Sequence, residues 1–194
     1  MGARKSTMID NQALANAFNP NRVPEALRDL LALENSVDGW LSEGFEFYID
    51  EDNVGLKTYS EAVDFLNHFV EFAQADGTGS TYAIWLNESS NSVDECPVVI
   101  FGSEGGVHVV ARNLAEWFQI LSYDVEPMVD HDSVYYYKDT DDYAPSDRID
   151  EYRNWLVTRQ RLKPIEDADS VVEIAKEHHQ EALTSFIRQY VDGF

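Results

Sequence analysis

The chain has 194 residues, of which 14 are Lys or Arg and 36 are Asp or Glu, for a formal charge of −22 at pH 7. Such a surplus of carboxylates repels phosphate arrays, so nucleic acid and anionic membrane surfaces are excluded as expected partners and a basic protein is favoured. The one cysteine, Cys96, has no partner in the chain and no Cys/His cluster around it, which argues against a disulfide scaffold or a structural zinc and for a reducing, cytoplasmic compartment.

No stretch approaches the roughly 20 apolar residues of a membrane span, and the N-terminus lacks the apolar core of a secretory signal. Met1, Gly2 and Ser6 fit the loose N-myristoylation pattern, a match short enough to be read as a disordered start. A chain of this size buries roughly 70% of its unfolded surface in one core. The expected organisation is a polar leader, residues 1–22, followed by a single domain, residues 23–194.

In the leader, Ala13, Ala15 and Phe18 hint at a short helix before the Asn19-Pro20-Asn21 break, loosely attached to the rest. Pro24 suits a first helical position, and Leu27, Leu30, Leu31 and Glu34 at three-to-four spacing predict a surface helix ending near Asn35. Residues 45–49 have strand character, and the turn chemistry of residues 50–55 leads into residues 56–59, which predicts a hairpin. Ser60 then caps a predicted helix with Leu66, Phe69, Val70 and Ala73 on its inner face, stopping before Asp76.

Strands are predicted over residues 82–86, 97–101 and 107–111, close enough in sequence to pair antiparallel, with a polar loop at 87–95 and a glycine turn at 102–106. Asn113 or Arg112 opens a helix whose Leu114, Trp117, Phe118 and Leu121 should cover one sheet face. Residues 124–147 read as Asp- and Tyr-rich loop. Helices return over 149–159 and 171–190, the last with Ala175, His178, His179, Ala182, Leu183, Phe186, Ile187 and Tyr190 on its packed side. The expected fold class is α+β, an antiparallel or mixed sheet with packed helices and a C-terminal helical extension.

Three segments carry a family resemblance: residues 77–87 (GTGSTYAIWLN), 97–105 (PVVIFGSEG) and 109–121 (VVARNLAEWFQIL). In order and spacing they resemble the SUKH superfamily over about residues 36–123, while residues 124–194 carry no such likeness. The resemblance implies a SUKH-like α+β fold with no shared catalytic residues. For most bacterial members it implies an immunity protein that neutralises a toxin of a polymorphic or contact-dependent system. Such toxins are often nucleases with basic surfaces, which an acidic inhibitor would attract. A eukaryotic branch serves as intracellular regulatory or scaffold modules, the alternative role on the same fold.

Catalytic, cofactor and metal constellations are weak. Asp50, Asp52, Gly55 and Glu61 occupy positions 1, 3, 6 and 12 of an EF-hand loop, but Val54 at position 5 offers no side-chain oxygen and a strand precedes where a helix is needed. His68, His108, His131, His178 and His179 form no metalloenzyme pattern. Ser103 lacks the nucleophile-elbow spacing, and Cys96 has no basic neighbour in sequence to activate it. The glycines of 102–106 suit positive φ better than a phosphate cradle, because a strand follows. No enzyme activity and no cofactor are therefore expected. The expected partner-binding surface is Asp132, Tyr135, Tyr136, Tyr137, Asp139, Asp141, Asp142 and Tyr143, where tyrosines supply rigid contact area and carboxylates receive Lys or Arg. A solvated loop whose tyrosines cover the sheet edge is the plainer reading of the same residues.

Overall fold

A computed structural model describes residues 9–87, 90 and 92–194. The myristoylation residues Met1, Gly2 and Ser6 lie outside the described residues.

The sheet is built from β1 (Glu46–Phe47), β2 (Phe69–Gln74), β3 (Thr81–Trp85), β4 (Val98–Phe101) and β5 (Val107–Ala111), antiparallel and in chain order across the sheet. Every residue of β3, β4 and β5 is buried, because helices cover both faces. On one face Tyr82, Ile84, Val98, Ile100 and Val110 join a core with α1 (Asn11–Phe18), α2 (Glu25–Ser36), α5 (Leu114–Leu121) and α6 (Ile149–Thr158). On the other, Ala83, Trp85, Val99, Phe101, Val107 and Val109 meet Ala175, Leu183 and Ile187 of α7 (Asp169–Ile187). Strands buried on both sides read as continuous apolar runs instead of alternating ones. The α+β class with packed helices holds.

Trp117 of α5 is the hub of the first core, with Phe45, Phe72, Tyr82 and Phe118 around its ring at centroid distances of 4.9–5.5 Å. Asn113 caps this helix by accepting the Glu116 N–H at 3.0 Å, and the Glu116 carboxylate reaches back to the Arg112 N–H at 2.9 Å.

Both edges of the sheet are closed by helix side chains. Along β5 the Gln180 amide of α7 accepts the Val109 N–H at 2.8 Å and donates to the Val107 carbonyl at 3.1 Å, as a sixth strand would. Along β1 the buried Glu34 carboxylate of α2 accepts the Phe47 N–H at 3.4 Å.

Several elements differ from the sequence expectation. The leader is not loosely attached: Leu14 and Phe18 of α1 are fully buried in the first core, and Asp10 caps the helix through the Gln12 and Ala13 N–H groups. The expected hairpin over 45–59 is absent, because Asp50 folds back to accept the Asp52, Val54 and Gly55 N–H groups and starts the short helix α3 (Val54–Lys57). The long helix expected after Ser60 is α4 (Val63–Asn67) followed directly by β2, so Phe69, Val70 and Ala73 are strand residues. The loop at 124–147 contains a small hairpin, β6 (Met128–Val129) and β7 (Val134–Tyr135). On α7, His178 and Ala182 are exposed, and the packed stripe is Val172, Ala175, Leu183 and Ile187, with Phe186 and the following Tyr190 partly buried against the second core as expected.

The glycine turn behaves as expected, with Gly105 at φ +104° and Gly106 at φ +83°. Gly106 is also held close, since a Cβ there would lie 2.3 Å from the Asp130 carbonyl oxygen. Among the described residues no helix is long and apolar enough to cross a membrane.

Candidate functional site: an acidic groove

The segment after α5 is anchored by one buried carboxylate. Asp124 adopts a left-handed backbone, φ +62°, and is 1% exposed. Its Oδ1 accepts the Glu43 N–H at 2.9 Å and the Ser146 hydroxyl at 2.5 Å, and its Oδ2 accepts the Tyr143 hydroxyl at 2.6 Å and the Ser146 N–H at 3.0 Å. Burial alone would raise its pKa, but these donors outweigh burial and hold the carboxyl below its ordinary value. Asp124 thereby ties the 139–146 loop to the Trp40–Glu43 turn, positions roughly a hundred residues apart in sequence.

Between those two segments runs a groove of about 550 Å³ lined by Trp40, Glu43, Glu126, Met128, Tyr137, Asp139, Asp142, Tyr143 and Asp147 among others. It continues past Trp40, Glu43 and Glu126 into a recess of about 210 Å³ that adds Glu46 and Asp76. Among the described lining residues Lys138 is the single cation. Its ammonium is already engaged, donating to the Tyr123 carbonyl and lying 4.2 Å and 4.1 Å from the Tyr123 and Tyr143 ring centroids. Carboxylates thus outnumber cations among the described lining residues by a wide margin.

The carboxylates differ in how they are held. Glu126 accepts the Gly77 N–H at 3.1 Å, yet burial, and then repulsion from Glu43 and Asp76, push its pKa up. Asp76 is buried enough to be raised, but hydrogen bonds from Ser80 and Thr78 prevail and its pKa falls. A carboxylate crowded by like charges gains most when a cation arrives. Beside the carboxylates, the β6–β7 hairpin presents Met128, Tyr135 and Tyr137 at 53%, 43% and 66% exposure, Met128 lying opposite Tyr135 across the strands. Adaptable thioether and rigid phenol surface thus lies next to hydrogen-bond acceptors.

Of the eight residues expected to bind a partner, Tyr137, Asp139, Asp142 and Tyr143 line the groove and Tyr135 stands on the adjoining hairpin. Asp132, at the hairpin turn, and Asp141 are exposed outside the groove lining. Tyr136 is a correction. The two-residue period of the strand turns it inward, where it is 4% exposed and its hydroxyl meets that of Tyr82 at 2.8 Å. Tyr143 is partly engaged through Asp124, with its pKa pushed up to about 12 by burial and by that carboxylate.

Trp40, Glu43, Asp76 and Glu126 were not singled out by sequence. They come from three separate turns and share no local signature, so only the fold assembles them. The EF-hand positions do not converge. Asp50 spends its oxygens on backbone N–H groups, and among the described residues no cluster of three His, Cys, Asp or Glu side chains has a metal-holding arrangement. Cys96 is buried with its thiol pKa raised by burial, and Ser103 shares a hydrogen bond with Thr78 at 2.8 Å. Comparison of the chain with protein-family models, curated proteins and solved structures found no match.

Proposed function

We propose that the protein is a protein-binding module of the immunity type suggested by the SUKH resemblance, which neutralises a basic toxin by receiving Lys and Arg side chains of that toxin in the acidic groove. The observation that carries this reading is the lining itself: Glu43, Asp76, Glu126, Asp139, Asp142 and Asp147 around one internally satisfied lysine. The −22 charge adds long-range attraction, able to steer association towards about 10⁸ M⁻¹s⁻¹ at low salt. The exposed Met128, Tyr135 and Tyr137 supply the apolar contact that holds a partner once docked.

The test is co-expression with a basic secreted toxin, sought first among the genes adjacent to its own. Wild-type protein should restore growth, and the triple variant Glu126→Lys, Asp139→Lys, Asp142→Lys should fail to do so while folding normally. At low salt its association rate with the purified toxin should fall on the order of 10–100-fold. Full rescue by the triple variant, with an unchanged association rate, would refute the groove as the docking surface.

A further inference from the structure

A second cavity, of about 350 Å³, lies on the sheet face beneath α3 and shares only Gln74 with the acidic groove. Its polar centre is Glu71 of β2, 5% exposed, with Gln74 of the same strand also in the lining. Glu71 Oε1 accepts the Thr81 hydroxyl, whereas Oε2 is buried with no hydrogen-bond partner. Neither protonation state removes the deficit: ionised, Oε2 is an acceptor without a donor, and protonated, the acid proton has no acceptor. Among the described residues the other buried side-chain atoms without a partner are the indole nitrogens of Trp85, Trp117 and Trp155, none of which lines this cavity; a carboxylate oxygen left so on a cavity wall points to something that docks there.

The walls define what that is. Tyr48, Tyr59 and Phe101 contribute rings, Asp50 adds a second carboxylate, and no Lys, Arg or His is present among the lining residues. A buried carboxylate under aromatic walls favours a cation, because the rings attract positive charge with their faces and the acid supplies a counter-ion. A metal ion is a poor fit. Glu71 has one oxygen to give, Asp50 is committed to its backbone donors, and a hard cation needs six or more oxygens. A guanidinium would have to share Oε1 with the Thr81 hydroxyl to use its two-pronged geometry, which makes it the poorer match. An ammonium is a point donor that one oxygen can serve.

We propose that this cavity is a binding site for an alkylammonium group, charge-paired with Glu71 Oε2 and walled by Tyr48, Tyr59 and Phe101. The approach is kept clear by Gly55, where a Cβ would lie 3.3 Å from Oε1 and 3.9 Å from Oε2 of Glu71. The group comes either from a free amine or from a lysine side chain of another protein. The inference does not rest on the groove reading.

The test is an NMR titration of the full chain at pH 7 and constant ionic strength with n-butylammonium, methylguanidinium and Nα-acetyl-lysine amide. Butylammonium should give saturable shifts at the Tyr48, Glu71 and Thr81 amides with half-saturation on the order of 1 mM. Methylguanidinium should bind several-fold more weakly. Saturation by the lysine derivative as well assigns the site to a protein side chain, and saturation by butylammonium alone assigns it to a free amine. Glu71→Gln, nearly isosteric, and Gly55→Ala, which suits a helix and covers the carboxylate, should each weaken binding about tenfold with the remaining spectrum intact. No saturable shift with any of the amines, or equal binding by Glu71→Gln, overturns the proposal.

Discussion

Replacing Asp124 with Asn isolates the charge that holds the groove together. The amide is isosteric and Asn tolerates the left-handed backbone at φ +62°, so no steric or backbone cost intrudes. The amide oxygen can keep the two donors now on Oδ1, from Glu43 and Ser146. The amide nitrogen then faces the Tyr143 hydroxyl, which can rotate to accept, and the Ser146 N–H, which cannot. One buried donor is left unmet, at about 1–3 kcal/mol, and the retained bonds lose their charge assistance. The expected destabilisation is about 2–3 kcal/mol. With a urea m-value of about 2–3 kcal/mol/M, the denaturation midpoint should fall by roughly 1 M.

The pH dependence gives a second check on the same residue. The folded-state pKa of Asp124 lies below its ordinary 3.8, so its contribution is complete above that value and is lost as pH falls through the folded pKa. The gap between wild type and Asp124→Asn should therefore be full at pH 7 and close below 3.8. A variant as stable as wild type at pH 7, or a gap that persists unchanged in acid, would refute the account of Asp124 as a charged anchor.

Other substitutions probe the remaining features. Tyr82→Phe and Tyr136→Phe should each cost about 1–2 kcal/mol by stranding the partner hydroxyl, while the double variant costs less than their sum, as read from a double-mutant cycle by urea denaturation. Gly106→Ala should destabilise by about 3 kcal/mol or more, or prevent folding, because φ is +83° and the new Cβ meets the Asp130 carbonyl at 2.3 Å; its thermal midpoint checks this. Burial raises the folded-state pKa of Glu71 above its ordinary 4.5, so wild type should lose stability relative to Glu71→Gln as pH rises from 4 to 7, the direction opposite to Asp124. The groove variant Glu126→Lys, Asp139→Lys, Asp142→Lys should refold reversibly with a midpoint close to wild type, since a protein at −22 gains from losing excess negative charge.

What could be read from the sequence divides along physical lines. β3, β4 and β5 were legible because β-branched and aromatic residues fall between glycine and polar turns, and α5 because Asn113 precedes Leu114, Trp117, Phe118 and Leu121 at helical spacing. β2 was hidden. Its Phe69-Val70-Glu71-Phe72-Ala73 run is buried on both faces, so it lacks alternation and merged with the helical stripe of residues 63–67. The region after β1 misled because Asp-rich turn chemistry serves equally to start a helix, and the Asp50 carboxylate accepts the first N–H groups of α3, from Val54 and Gly55. In α1 only Leu14 and Phe18 are fully buried, too few to mark a packed helix in a polar segment. The Tyr/Asp concentration at 132–143 did mark half of the groove, but its other wall is set by long-range contacts such as Glu43 to Asp124, which leave no local pattern.

The helix side chains at the two margins of the sheet bear on how any binding partner can engage. Recognition by strand addition needs a row of free backbone amides and carbonyls along an outer strand. Here Gln180 occupies Val107 and Val109, and Glu34 occupies Phe47 on a strand only two residues long. A partner consequently cannot extend the sheet without first lifting α7 or α2. Selectivity for any such partner falls instead to the shape and charge of side chains, which can change without disturbing the backbone ladder beneath.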